Sequence, residues 1–372
     1  MKNIIYTQNK EVVLKTLLLL ALNVFMLSSL YAKTWRVNNT AEVNADFTTA
    51  QAAHDDVNVV SGDTLLFEGS PDSYGDITLY KKLAMIGTGY FLGENPGHQA
   101  LLSSAKLGNV TFSKETGSAP SASDPDGVPA VSSSGSTIVG LEVFSIRMLV
   151  SNITIRRCYI TSDIGIDMRH TDAARSPITA NYFTSNANNT VIIDCYLPTR
   201  IIFVGRSDNV IISNNVTGFI TNEGTSSNVT LTNNIIDSGQ QGASIKLYNA
   251  IIRNNILLKG IITPYNSIYS NNLASSDVTG LPAGNDNVGG YALGDLFAAS
   301  YVGGEDAYYQ LPAASVAKGA GFNGVDCGIF GGPSPYVLSG IPPIPTIYEF
   351  TAPAIGSTTE GLQIQVKIKS NN

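Results

Sequence analysis

The feature that most constrains this chain is a pair of adjacent asparagines that returns about every twenty residues inside apolar segments. NVIISNNVT starts at Asn209, NVTLTNNII at Asn228, NAIIRNNIL at Asn249 and NSIYSNNLA at Asn266. Upstream, NITIRRCYI starts at Asn152 and NTVIIDCYL at Asn189, with weaker copies GSTIVGLEV from Gly135 and RSPITANYF from Arg175. With the first residue of each copy as position 0, position 3 reads Ile138, Ile155, Ile178, Ile192, Ile212, Leu231, Ile252 and Tyr269. Position 6 reads Leu141, Cys158, Asn181, Cys195, Asn215, Asn234, Asn255 and Asn272. The starts lie 17, 23, 14, 20, 19, 21 and 17 residues apart. Such a period marks stacked coils, and it outranks local propensity.

Asparagine is a poor strand former, and a buried amide is costly unless hydrogen-bonded. Both objections disappear if like residues of successive coils stand above one another, because each amide can then bond the next. Position 6 is therefore expected to form an internal asparagine ladder. Position 5 is expected to face outward at the turn, where Asn tolerates unusual backbone angles. A third short strand follows in IGIDM from Ile164, RIIFV from Arg200 and ASIKL from Ala243. Three strands per coil describe an all-β fold, a right-handed parallel β-helix.

Only 14% of the 372 residues are charged, which fits short strands and polar turns rather than amphipathic helices. Residues 1–32 read as an export signal: Lys10 and Lys15 precede TLLLLALNVFMLSSLYA, which ends in Ala32. The uninterrupted apolar run is short for a membrane span. Cleavage would remove three lysines and one glutamate, taking the net charge of −7 two units further negative. An acidic exported chain is a poor nucleic-acid binder. Of three cysteines, Cys158 and Cys195 share position 6 with the Asn181 copy between them. That arrangement puts them about 10 Å apart, too far for a bridge.

These segments resemble the pectate-lyase-like superfamily of right-handed parallel β-helices, in its exported bacterial form. The shared marks are the asparagine ladder at 214–216, 233–235 and 254–256, and DFTTAQAAHDDV (46–57), similar to the helix that caps the first coil. SGDTLLFEG (61–69) and YGDITLYKKLAMIGTGY (74–90) resemble first coils, and LPAASVAKGAGFNGVDCGIFGG (311–332) resembles a closing segment. The resemblance covers about 45–332 and implies the fold, since this fold hosts lyases, hydrolases, esterases, adhesins and scaffolds. The expected organisation is a signal over 1–32, an N-terminal cap over 33–62, a β-helix over 63–332 and a C-terminal segment over 333–372. The last packs on the β-helix or docks to a partner. Residues 117–135 and 275–295 read as irregular excursions. Leu362, Ile364, Val366 and Ile368 alternate as in a half-buried strand.

The family's catalytic motifs are missing. RSPITA (175–180) begins like a lyase R-x-P-x-x-R but has Ala180 where the second Arg belongs, and SIKLY (244–248) has the Lys of R-I-K without the Arg. DCGIFGG (326–332) is only superficially like the esterase stretch. His54, His98 and His170 have no metal-ligand spacing. A glycosidase would need paired carboxylates. Asp167 with Arg169, His170 and Asp172 forms the densest polar group, which reads either as a sugar-contacting or catalytic cluster or as a solvated loop; Asp163 shares a coil with Asp167, and the catalytic candidates are Asp163, Asp167, Arg169 and His170. Asp124 and Asp126 in DPDG could help hold calcium or simply form a turn; no other cofactor is expected.

Position 7 reads Glu142, Tyr159, Tyr182, Tyr196, Val216, Ile235, Ile256 and Leu273. Lying between inward positions, it should form an apolar exterior stripe, and such stripes are covered by something. The expected cover is the chain's own Tyr336–Ile368. The competing reading makes Tyr159, Tyr182 and Tyr196 a sugar-stacking platform. The expected function is an exported, non-catalytic protein that binds glycan or a surface protein at the cell surface or in the periplasm. The alternative is a polysaccharide lyase or glycoside hydrolase with an atypical site.

Overall fold

The computed structural model describes residues 32–115, 131–166, 187–203, 205–222, 226, 228–239, 243–356, 359 and 361–371. Parallel strands stack in register into two sheets, one of ten strands and one of thirteen, and the chain is a right-handed parallel β-helix. The expected second and third strands of a coil join one sheet, and in several coils they fuse into one long strand, as in Tyr196–Phe203 and Ile256–Ile262.

In the ten-stranded sheet, position 3 aligns through Leu65, Met85, Ile138, Ile155, Ile192, Ile212, Leu231, Ile252 and Tyr269. All nine are buried, each stacked on its equivalent in the next coil. β-Branched residues dominate because they pack well on a pleated surface. The helix Ala50–Asp55 is capped by Thr49 and buries Ala50, Ala53 and His54 against the first coil. His54 Nε2 accepts the Tyr80 N–H at 3.0 Å, which leaves Nδ1 to donate to Asp55 at 2.7 Å. His54 is thus a structural residue.

Position 6 carries a column of side-chain hydrogen bonds. The amide of Asn215 donates to Asn234, Asn234 to Asn255, Asn255 to Asn272 and Asn272 to Asn287, all at 2.9–3.0 Å. Each of these acceptor oxygens also takes a backbone N–H from the coil before it. A second column runs along position 0, which the sequence reading treated only as a repeat boundary. Asn189 donates to Asn152, Asn209 to Asn189, Asn228 to Asn209 and Asn266 to Asn249 on the exposed surface. Asn152, Asn189, Asn209, Asn228, Asn249 and Asn266 all have φ between 50° and 64°. Among non-glycine residues Asn enters this left-handed region most readily.

Three expectations are corrected. Thr154–Arg156 pairs directly with Val191–Ile193, so no coil built on Ile178 and Asn181 lies between them. Cys158 and Cys195 therefore stand on adjacent coils, about one strand spacing apart. Both are buried free thiols, and burial pushes that of Cys195 well up. The 37-residue step from Asn152 to Asn189 is thus one step of the stack, and the copy RSPITANYF (175–183) lies outside the described residues. The segment 311–332 runs along the side of the solenoid, where Phe322, Asp326 and Ile329 meet Asn254, Asn233 and Asn214 of successive coils. Leu362, Ile364, Val366 and Ile368 do not turn a covered face to the body; each is 44–64% exposed.

The two asparagine columns should respond differently to mutation. Asn234→Ala leaves buried partners unpaired on three coils and is expected to cost about 2–4 kcal/mol. Asn228→Gly keeps the left-handed turn and loses one exposed bond, a cost of about 1 kcal/mol or less. Urea unfolding of the two variants beside the parent measures the difference.

Candidate functional site: the uncovered end of a lateral stripe

The outward column on the thirteen-stranded sheet is Lys106, Glu142, Tyr159, Tyr196, Val216, Ile235, Ile256, Leu273 and Val288, paired in register. Position 7 thus faces away from the solenoid interior, as expected. From Tyr196 to Leu273 the column is buried, because a returning segment lies on it. Leu296, Phe297, Tyr309, Ala317, Cys327, Ile329 and Tyr336 supply the matching apolar surface. The cover therefore comes mainly from residues 296–336. Of the expected Tyr336–Ile368, Tyr336 and Leu338 join this layer, whereas Ile347, Phe350 and Ile368 are exposed.

The first asparagine of each pair holds the cover in place. Position 5 takes left-handed angles at Asn214, Asn233, Asn254 and Asn271, yet all four are buried, not solvent-facing. Asn214 Nδ2 donates to the carbonyls of Ile329 and Gly331, both at 2.8 Å. Asn233 Nδ2 donates to Asp326 O at 3.1 Å, and Asn254 Oδ1 accepts the Phe322 N–H at 2.8 Å. The cover thus runs backward, from later coils to earlier ones. Its far end is clasped at the first coils, where Asp306 accepts from the Asn95 amide and the Ser339 N–H. Tyr90 and Tyr336 share a 2.5 Å hydroxyl contact beside it. Gly340 has φ +54°, and a Cβ there would stand 2.3 Å from the Tyr90 ring and 2.4 Å from Arg157 O.

The position-5 residues of the two earlier copies are charged. Arg157 Nη1 donates to Ile341 O at 2.8 Å, and Arg156 Nε to Asp194 Oδ2 at 3.2 Å. Arg157 Nε lies 3.9 Å from the same oxygen, while Asp194 Oδ1 is buried with no partner. Burial outweighs both arginines and pushes the Asp194 carboxyl up to about 6.

At Tyr159 the cover has narrowed to the strip through Ser339–Ile341, which leaves this residue only partly buried. There the column's remaining members floor an open groove of about 420 Å³, with Phe91–Glu94 and Leu102–Ser104 as walls. Tyr159 is half-buried in an aromatic group: its ring lies 5.7 Å from Tyr90, 5.1 Å from Phe91 and 5.5 Å from Tyr196. Burial raises its hydroxyl pKa, and the carboxylates of Glu305, Glu142 and Glu94 raise it further. Lys106 is the cation on the groove floor. An aromatic face, two lining carboxylates and one ammonium can stack on an apolar ring face and bond hydroxyl groups around it. Among the described residues, no group of three or more His, Cys, Asp or Glu could hold a metal ion. No described helix is long and apolar enough to cross a membrane.

The residues singled out from sequence fare unequally. Tyr159 lines the groove. Tyr196 does not: it is 5% exposed, and its hydroxyl donates to Glu305 at 2.9 Å under the cover. Asp163 makes a surface ion pair with Arg200 of the next coil, at 2.8 and 2.9 Å. Asp163 does not line the groove. Asp167, Arg169, His170, Asp172, Tyr182, Asp124 and Asp126 lie outside the described residues. Sequence reasoning missed Glu94, Lys106, Phe91 and Glu305. Lys106 is the strand partner of Glu142, but it lies 36 residues upstream, beyond an intervening loop, so counting the repeat does not reach it. No periodic signal marks the loop that carries Phe91 and Glu94.

No protein-family model matches this chain, and no curated protein is similar to it in sequence.

The buried Asp194 makes stability pH-dependent in a defined direction. Its folded pKa lies above the unfolded value of 3.8, so between about pH 4 and 6 the folded state binds more protons. This group's contribution therefore declines as pH rises through that window, by on the order of 2–3 kcal/mol. Asp194→Asn should gain stability relative to the parent at pH 7 but not at pH 4. Parallel urea unfolding curves at the two pH values test this.

Proposed function

We propose that this chain is an exported, non-catalytic glycan-binding protein of the pectate-lyase-like superfamily, working at the cell surface or in the periplasm. The site of binding is the groove floored by Tyr159. The observation that carries the reading is the position of Tyr159, the one half-buried aromatic residue of the column, standing where the cover narrows. From Tyr196 to Leu273 the same column is consumed by packing, whereas Tyr159 keeps part of its surface in an open groove. Few, well-placed polar groups around an aromatic surface are what a small-ligand site requires. Glu94 and Glu142 would accept bonds from sugar hydroxyls, and Lys106 would donate to a ring or hydroxyl oxygen. The acidic balance of the groove favours neutral over uronate polymers. The apolar start of the chain, through Ala32, supports export.

A second reading rests on the same groove. Glu94 and Glu142 both line it, and paired carboxylates are what a glycoside hydrolase uses. In that case one carboxyl would protonate the leaving oxygen, and the other would act as base or nucleophile.

Affinity electrophoresis in gels cast with neutral and acidic polysaccharides separates these readings. Binding predicts retardation by a neutral polymer without clearing. Tyr159→Ala should then weaken retention about tenfold, the effect of losing roughly 1.4 kcal/mol of stacking. Asp163→Asn should leave retention unchanged. Release of reducing ends, abolished by Glu142→Gln, would favour the hydrolase. Unretarded migration on every polymer would refute glycan binding.

A further inference from the structure

The C-terminal strands Thr346–Thr351 and Gln365–Lys369 form an antiparallel hairpin that pairs with neither sheet of the solenoid. Its register places Ile347 opposite Ile368 and Phe350 opposite Val366, so these four share one face with Ile364. The other face carries Tyr348, Glu349, Gln365, Lys367 and Lys369, with a 2.7 Å Glu349–Lys367 ion pair. The hairpin is held to the body at its root: Ala100 N donates to Ile347 O at 2.8 Å, and Lys369 Nζ to Gly97 O at 2.9 Å. Its apolar face is not covered by the body. Ile347, Phe350, Ile364, Val366 and Ile368 are 44–64% exposed, as is Leu362 just before the second strand. The face runs into an apolar groove of about 600 Å³ lined by Leu66, Leu101, Ile344, Ile347 and Phe350.

We propose that this face is a homodimer interface, on which a second copy of the chain docks its own hairpin face to face. Three observations select a second copy. A lone two-stranded hairpin is marginal in water, whereas two stacked apolar faces make a small sandwich with a dry core. Six large side chains about half exposed present roughly 600 Å² of apolar surface, at the top of what a monomer leaves bare. With Leu101 and the groove added, each copy approaches the ~800 Å² per partner of a standard interface. The third observation is charge. The chain as a whole is acidic, at −7, but the two strands carry Lys367 and Lys369 against Glu349 alone. This is a place where two acidic molecules can meet without mutual repulsion. A two-fold axis through the hairpins satisfies both copies with one self-complementary patch. The proposal is independent of the Tyr159 groove.

Sedimentation equilibrium of the chain from residue 33 onward, between 1 and 100 μM, tests it. The expected result is a dimer. Ile364→Lys with Ile368→Lys should shift dissociation at least a hundredfold and leave the solenoid's thermal transition in place. Thr351→Lys, on the polar face, should leave the dimer unchanged. A monomer throughout the range overturns the proposal, even if the hairpin then binds another protein or a vesicle. A dimer that survives the double substitution also overturns it, because the interface would lie elsewhere.

Discussion

A buried amide must find a partner, and in this chain the partner is the same residue one coil away. Asn215, Asn234, Asn255 and Asn272 each use the next side chain as acceptor and also bond backbone groups of their own or neighbouring coils. The arrangement works only if coils stack without slipping. A shift of one residue would turn every inward side chain outward and leave the amides unpaired. The column therefore sets the register of both sheets. Once the register is set, every other position becomes a column as well, including the nine buried residues at position 3 and the exterior asparagines at position 0.

That logic explains why asparagines come in pairs. The second of each pair serves the interior. The first takes the left-handed turn and directs its amide outward, to a segment that returns along the side of the solenoid. Asn214, Asn233 and Asn254 read the backbone at Ile329, Asp326 and Phe322, so the cover is held by its main chain as well as by apolar contact. The arginines and Asp194 take over at the earlier coils, where the cover narrows toward Ser339–Ile341. The buried Asp194 carboxyl is the least comfortable group in this layer, since no partner reaches its Oδ1.

The groove is a consequence of where the cover narrows. One column passes from buried Leu273 to half-buried Tyr159 and on to Glu142 and Lys106, and its chemistry changes from aliphatic to aromatic to charged. Apolar residues are placed where the cover supplies contacts, and polar ones where water reaches the floor. The same geometry separates Tyr196 from Tyr159, although both occupy position 7 on adjacent coils. Only Tyr196 lies beneath the cover, with its hydroxyl tied to Glu305.

By itself the sequence determined the fold and the inward and outward columns of most coils, because one apolar pattern returning about every twenty residues allows few other arrangements. It also announced an apolar stripe that had to be covered. Only the tertiary structure decided what covers it, because apolar residues at 296–336 and 336–368 look alike in sequence, while the carbonyls that Asn214 and Asn233 find are specific to one path. It also showed that Cys158 and Cys195 are neighbours, since spacing and apolar pattern alone do not tell which copies pair. The candidate site was legible in Tyr159 and Glu142, which lie on the periodic column. Phe91 and Glu94 were not, because they come from a non-repeating loop that only the folded first coils bring to the groove, and Glu305, which ties Tyr196 beneath the cover, comes from the equally non-repeating cover.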